Sequence, residues 1–309
     1  MLYILQAGIC LFGIYILFAV LPAVVSFLSV FSAKRSAPYV ALEPHPQLIA
    51  RYGETVADAC AFLRALDAKE VAITASDGAR LCGVYYENNA DKTVIFLHGF
   101  SANPVSHTAL QARALYEKGY NLLLPYQRAH GKSGGRFSTL GLKEQTDLLD
   151  WIAWAKEKTD KILLYGMSMG ASTVAYASDK LDPALVRGMI LDCGFTSAYT
   201  QLSAECKRKR LPSALMMPVV RLLGRILFRV DLKRSTADSL RRAAVPALFL
   251  HGKCDLTVPV SATEENYAAC AAQKEMILVE HAAHTEAFAA GGAPVQKRVS
   301  DFADRVMDR

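Results

Sequence analysis

The chain has 309 residues, enough to bury a full core, and its 52% hydrophobic and 21% charged content excludes intrinsic disorder. Only one segment is apolar enough to cross a bilayer, which excludes a multi-span transporter. The 35 Lys and Arg against 29 Asp and Glu leave a net charge of +6, and with no recognised binding motif beside it this charge does not point to nucleic acid.

Residues 2–31 contain no Asp, Glu, Lys, Arg or His. As one helix they would reach roughly 45 Å at about 1.5 Å per residue, more than a hydrocarbon core of roughly 30 Å. Residues 1–33 are therefore expected to form a single transmembrane helix, tilted or kinked at Pro22. A cleaved signal peptide is the alternative; it is disfavoured because no basic residue precedes the apolar run, which is also too long for an h-region. Lys34 and Arg35 follow the run, so the positive-inside rule predicts a cytoplasmic domain behind a single-pass anchor. The seven cysteines (Cys10, Cys60, Cys82, Cys193, Cys206, Cys254 and Cys270) are odd in number and scattered. That agrees with a reducing compartment and indicates no zinc site.

Residues 34–70 read as a tether broken by Pro38, Pro44 and Pro46, leading into a helix over 54–66. From 71 to 309 strands and helices alternate. Runs at 71–74 and 81–86 predict an antiparallel pair about the Asp77-Gly78 turn. Short apolar runs at 93–97, 121–124, 161–165, 188–191, 247–250 and 276–279 are separated by helical patterns at 107–117, 142–157 and 169–178. That rhythm predicts an α/β domain with a mostly parallel sheet covered on both faces. It breaks once, near 197–244, where a short helical cap rich in Lys and Arg is expected. Its basic cluster, Lys207 to Arg210, reads either as a solvated face or as a surface for anionic lipid.

The run at 161–165 passes directly into Gly166-Met167-Ser168-Met169-Gly170 and then a small-residue helix. A G-x-S-x-G between a buried strand and a helix is a nucleophile elbow, with glycines where the turn leaves no room for a side chain. A serine hydroxyl needs a base and a group to orient that base. In the chain order nucleophile, acid, histidine, only His281 and His284 come late enough to serve as base. His284 is favoured because it lies far enough into its loop to fold back over Ser168, and His281 stays open as the alternative. Asp255, on the loop after 247–250, is the favoured acid; Asp192, at the end of 188–191, is the other. Oxyanion donors are expected from the N–H groups of Met169 and Phe100.

Leu97-His98-Gly99-Phe100, Arg128-Ala129-His130-Gly131-Lys132-Ser133, the Ser168 elbow, the stretch from Gly252 to Asp255 and Ala283-His284 together resemble the α/β-hydrolase superfamily. Within it they are similar to membrane-anchored, serine-aminopeptidase-like hydrolases. The resemblance spans about 70–309 and implies the α/β-hydrolase fold, a Ser168–His284–Asp255 triad and no cofactor or metal. It does not fix the substrate; a small-molecule or lipid-like acyl substrate is expected from the triad together with the apolar N-terminus and the basic cap. Two positions depart from the pattern: Tyr126 stands where an Asp is usual, and His281 where a glycine commonly opens the histidine loop. Carboxylic ester hydrolysis is the leading expectation. Amide or thioester cleavage on the same residues is its chemical rival, and a catalytically silent binding or tethering protein is its non-enzymatic one.

Overall fold

The computed structural model describes residues 1–33 and 46–308. Lys34, Arg35 and the expected tether up to residue 45 lie outside the described residues. The chain divides into two units, Met1–Ser32 with Ser197–Arg234, and Ala33–Thr196 with Ser235–Arg309.

The larger unit is built on eight strands: β1 (Ala68–Thr74), β2 (Arg80–Tyr86), β3 (Lys92–Leu97), β4 (Asn121–Pro125), β5 (Lys161–Met167), β6 (Val186–Asp192), β7 (Ala247–Gly252) and β8 (Lys274–Val279). They form one sheet in the order β1-β2-β4-β3-β5-β6-β7-β8. β1 pairs antiparallel with β2, and β2 with β4 through Val84 opposite Leu124. From β4 to β8 every neighbouring pair is parallel. Each strand predicted from the apolar runs is present. The parallel strands are easy to read because helices cover both faces, so both sets of alternating side chains are apolar. On β5, Leu163 and Tyr165 join one core and Ile162 and Leu164 the other.

In chain order the helices are α1 (Leu2–Tyr15), α2 (Leu21–Phe31), α3 (Pro46–Ala65), α4 (Pro104–Tyr116), α5 (Glu144–Lys156), α6 (Met169–Ala177), α7 (Ala198–Arg208), α8 (Ser213–Leu223), α9 (Thr236–Leu240), α10 (Val260–Ala269), α11 (Ala287–Ala290) and α12 (Gly292–Met307). α3, α4 and α12 pack on one face of the sheet through Leu63, Ala109 and Phe302; α5 and α6 cover the other through Trp151 and Val174. α3 starts earlier than the helical spacing predicts. Pro46, read as a breaker, opens it, because the first helical position needs no N–H donor.

The N-terminal expectation is corrected. Residues 2–31 do not form a single spanning helix: α1 and α2 are separated by a π-helical stretch, Ile16–Val20. Leu21 N–H reaches back five residues to Ile16 O just before Pro22, which has no N–H to give. Among the described residues no helix is long and apolar enough to cross a membrane. α2 instead buries a stripe, Ala23, Phe27 and Phe31, that Ala19 begins at the same four-residue spacing. In the smaller unit Phe27 stacks on Phe228 with ring centroids 5.0 Å apart, over a core that includes Met216, Met217 and Val220.

Candidate active site

β5 hands directly into α6, and Ser168 sits at the turn with φ +52° and ψ −115°. A positive φ is strained for a side-chain-bearing residue and is held here by surrounding bonds. Ser168 N–H donates to Asp192 O at 2.8 Å, and Ser172 N–H donates to Ser168 O at 3.1 Å. The flanking glycines are steric requirements: a Cβ on Gly166 would lie 2.4 Å from Gly170 O, and one on Gly170 would lie 2.0 Å from Leu97 O. The second contact brings the start of α6 against the end of β3. Ser168 Cβ is also 3.5 Å from where a Gly99 Cβ would lie.

The loop after β8 carries His284 to this turn. His284 Nε2 lies 2.9 Å from Ser168 Oγ, and His284 Nδ1 lies 2.6 Å from Asp255 Oδ2. The favoured serine, histidine and aspartate thus form one hydrogen-bonded chain. His281 is exposed three residues away. Two bonds shape the histidine loop: the buried Glu286 carboxylate accepts from Ala283 N–H at 3.0 Å and from Arg51 at 2.8 Å. Thr285, next to His284, has φ +63°, unusual for a β-branched residue.

Asp255 is fully enclosed. Burial alone would raise its carboxyl pKa, but hydrogen bonds from His251 and His284 and from the Val258 N–H hold it well below the usual carboxylate range. Thr257 N–H donates to the same oxygen as Val258, at 2.8 Å. Asp192 also lies in this region but is driven the other way: complete burial raises it to about 7 against the lowering influence of His251 and His284. Its carboxyl oxygens have no hydrogen-bond partner among the described residues.

Cys193 Sγ, an Asp255 oxygen and a His284 nitrogen lie within 4.8 Å of one another, a composition that could in principle ligate a metal. The chemistry does not fit one. Burial pushes the Cys193 thiol well above its ordinary range, which disfavours the thiolate a metal would need. Both His284 nitrogens are already engaged by Ser168 and Asp255.

Phe100 lies on the loop after β3, and Met169 is the first residue of α6, where an N–H has no partner within its own helix. Three imidazoles brace the Phe100 loop. His98 Nδ1 donates to Gly99 O at 2.7 Å while its Nε2 accepts Gln127 N–H at 2.9 Å. His107 Nδ1 accepts Gly99 N–H at 3.3 Å, and His130 Nε2 accepts Ser101 N–H at 3.0 Å. Acceptor nitrogens require neutral rings, and burial, with His130 next to it, holds the His98 pKa well below its ordinary value. His251 precedes the acid in the chain, which rules it out as base by order, yet its Nε2 lies 3.2 Å from Asp255 Oδ2. Tyr126, at the position where Asp is usual, is buried with its ring against Gly131.

Residues 92–217 match the family model described as alpha/beta hydrolase fold. The protein YqkD of Bacillus subtilis (strain 168), itself uncharacterized, is 29% identical over 234 residues, covering 72% of this chain and 74% of its own. A thermostable monoacylglycerol lipase of Bacillus sp. (strain H-257) is 24% identical, over 57% of this chain and 75% of its own. Among solved structures, the Pyrococcus furiosus esterase Pf2001 superposes with a TM-score of 0.66 at 25% identity, covering 78% of this chain and 92% of the esterase. With its sheet order and strand-to-helix elbow beside these matches, the chain has the α/β-hydrolase fold and is a hydrolase.

Proposed function

We propose that the protein is a serine esterase that cleaves carboxylic esters with Ser168 as nucleophile, His284 as general base and Asp255 as the group that orients it. The observation that carries this reading is the continuous bond chain from Ser168 Oγ through both His284 nitrogens to an acid held ionised. Ser168 Oγ attacks the acyl carbon as its proton passes to His284 Nε2. Asp255 stabilises the resulting imidazolium, and the N–H groups of Phe100 and Met169 receive the developing oxyanion. The proton then goes to the departing alcohol, leaving an acyl-enzyme. Water attacks that ester, gives its proton to His284, and the carboxylic acid leaves as Ser168 recovers its hydrogen.

The lipase and esterase named among the similar proteins support an acyl ester substrate, lipid-like or small. The exposed apolar residues of α1, Tyr3, Ile4 and Ile9 among them, give the enzyme contact with a membrane surface without a span among the described residues.

A fluorophosphonate probe should label the wild type and not Ser168→Ala. Hydrolysis of p-nitrophenyl butyrate should fall on the order of 10⁴- to 10⁶-fold in Ser168→Ala and His284→Ala, and persist in His281→Ala. Unaltered turnover by Ser168→Ala would end this reading.

A further inference from the structure

We infer that α8 and the π-helical turn after it form a lipid-docking face, with the anionic headgroups and acyl tails of a bilayer as partner. This goes beyond the proposed function, which gives membrane contact to the N-terminal residues alone. α8 and Gly224–Phe228 are apolar on two sides. Met216, Met217, Val220 and Phe228 are buried inside the smaller unit. Leu215, Leu222, Ile226 and Leu227 point outward, Leu222 at 56% and Ile226 at 63% exposure. Leu215, Leu222 and Ile226 follow one another at seven and four residues, which puts them on one side of a helix. Soluble domains seldom present an apolar stripe of this kind without a partner.

Two further observations favour lipid as that partner. Among the described residues, the only large exposed hydrophobics outside the smaller unit are Phe100 and Leu256. Charge follows the same division: Ser197–Arg234 carries nine Lys and Arg against Glu205 and Asp231, a surplus of seven, and Met1–Ser32 carries no charged side chain. The whole chain is +6, so the larger unit is close to neutral and the excess positive charge lies in the segment that carries the apolar stripe. That pairing matches an anionic leaflet, which offers negative headgroups over apolar tails. It disfavours a second copy of the chain, whose equally positive face would repel it. The unit also holds an open apolar recess of about 240 Å³ between α2 and α8, lined by Phe27, Leu202, Met216 and Met217 with Lys209 among its walls. An acyl tail has the chemistry to enter it.

The test uses the full chain with phosphatidylcholine vesicles containing phosphatidylglycerol, with acyl chains either plain or brominated. Leu222→Trp and Ile226→Trp are compared with Leu256→Trp, a position 89% exposed in the larger unit. After subtraction of the wild-type signal from Trp151 and Trp154, brominated lipid should quench the new indole at 222 and at 226 at least twofold and leave that at 256 unchanged. Equal quenching at all three positions would overturn the proposal. So would a blue-shifted, unquenched indole at 222 in a chain that sediments as a dimer, which would make a second copy the partner. Hydrolysis of p-nitrophenyl butyrate by the wild type in the same vesicles reads the active site separately, so its absence would count against the esterase assignment and leave the quenching result standing.

Discussion

Asp192 closes β6 and Asp255 follows β7 by three residues, yet their surroundings drive them in opposite directions. Asp255 accepts from two backbone N–H groups and contacts two imidazoles; Asp192 has burial and no hydrogen-bond partner among the described residues. If Asp255 orients His284, Asp255→Asn should lower kcat on the order of 10⁴-fold, as removing the charge that fixes a tautomer does. Asp192→Asn should leave most activity and alter stability instead. The Asp192 carboxyl moves from an ordinary 3.8 to about 7 on folding, so between those values the folded state holds a proton that the unfolded state has released. Its contribution is therefore complete below about pH 4 and is lost as pH rises through 7. The advantage of the Asn variant should grow from pH 4 to 7, reach at most about 4 kcal/mol and then level off. Urea unfolding at pH 4.5, 6 and 8 checks this, and a pH-independent difference would refute it. The two acids were visible in the sequence as strand-end residues, but nothing in their local context told them apart. The distinction is made by His251, His284 and loop N–H groups that only the tertiary approach of β7 and β8 brings together.

At the scale of elements, Arg128 joins three pieces of the larger unit. Its guanidinium makes a two-pronged contact with Asp147 on α5, with Nε to Oδ2 at 2.9 Å, and donates to Asp77 in the β1–β2 turn at 2.7 Å. Arg128 and Asp147 are both buried. Burial already raises the Asp147 carboxyl to about 7 against the lowering influence of Arg128, so Arg128→Met would leave it buried without its partner and drive it to take up a proton, at a cost of at most about 3–5 kcal/mol. The midpoint of urea unfolding should fall accordingly, and Arg128→Met with Asp147→Leu should recover part of the loss. Recovery that failed entirely would show that packing, not charge, is what Arg128 supplies. This junction was not legible: the motif around Arg128 was visible as a loop, but its ion-pair partners stand 19 and 51 residues away. The strands were legible because each needed only its own apolar run. The stripe of Ala19, Ala23, Phe27 and Phe31 was hidden for the opposite reason, since a uniformly apolar run has no polar side to mark which face is buried.

That hidden stripe sets how the whole chain can be shortened. The smaller unit is made from Met1–Ser32 and Ser197–Arg234, segments distant in sequence, so an apolar N-terminus that looks like a dispensable anchor supplies part of a core. Tyr3, Ile4, Leu5 and Ile9 of α1 are exposed, whereas Phe27 and Phe31 are almost fully buried beside Phe228. A chain beginning at Ile16 keeps every buried position of that stripe. A chain beginning at Ser32 loses Phe27 and Phe31, at about 1.5–3 kcal/mol each, and opens Met216, Met217 and Phe228 to water. In one mild detergent, the chain starting at Ile16 should melt with the full-length protein and elute as a single species. The chain starting at Ser32 should melt lower or aggregate, even though Ser168, His284 and Asp255 are untouched. If both melted together, the aromatic contact between α2 and Phe228 would contribute nothing to stability. The N-terminal residues would then be an appendage, and Ser197–Arg234 would hold its own core without them.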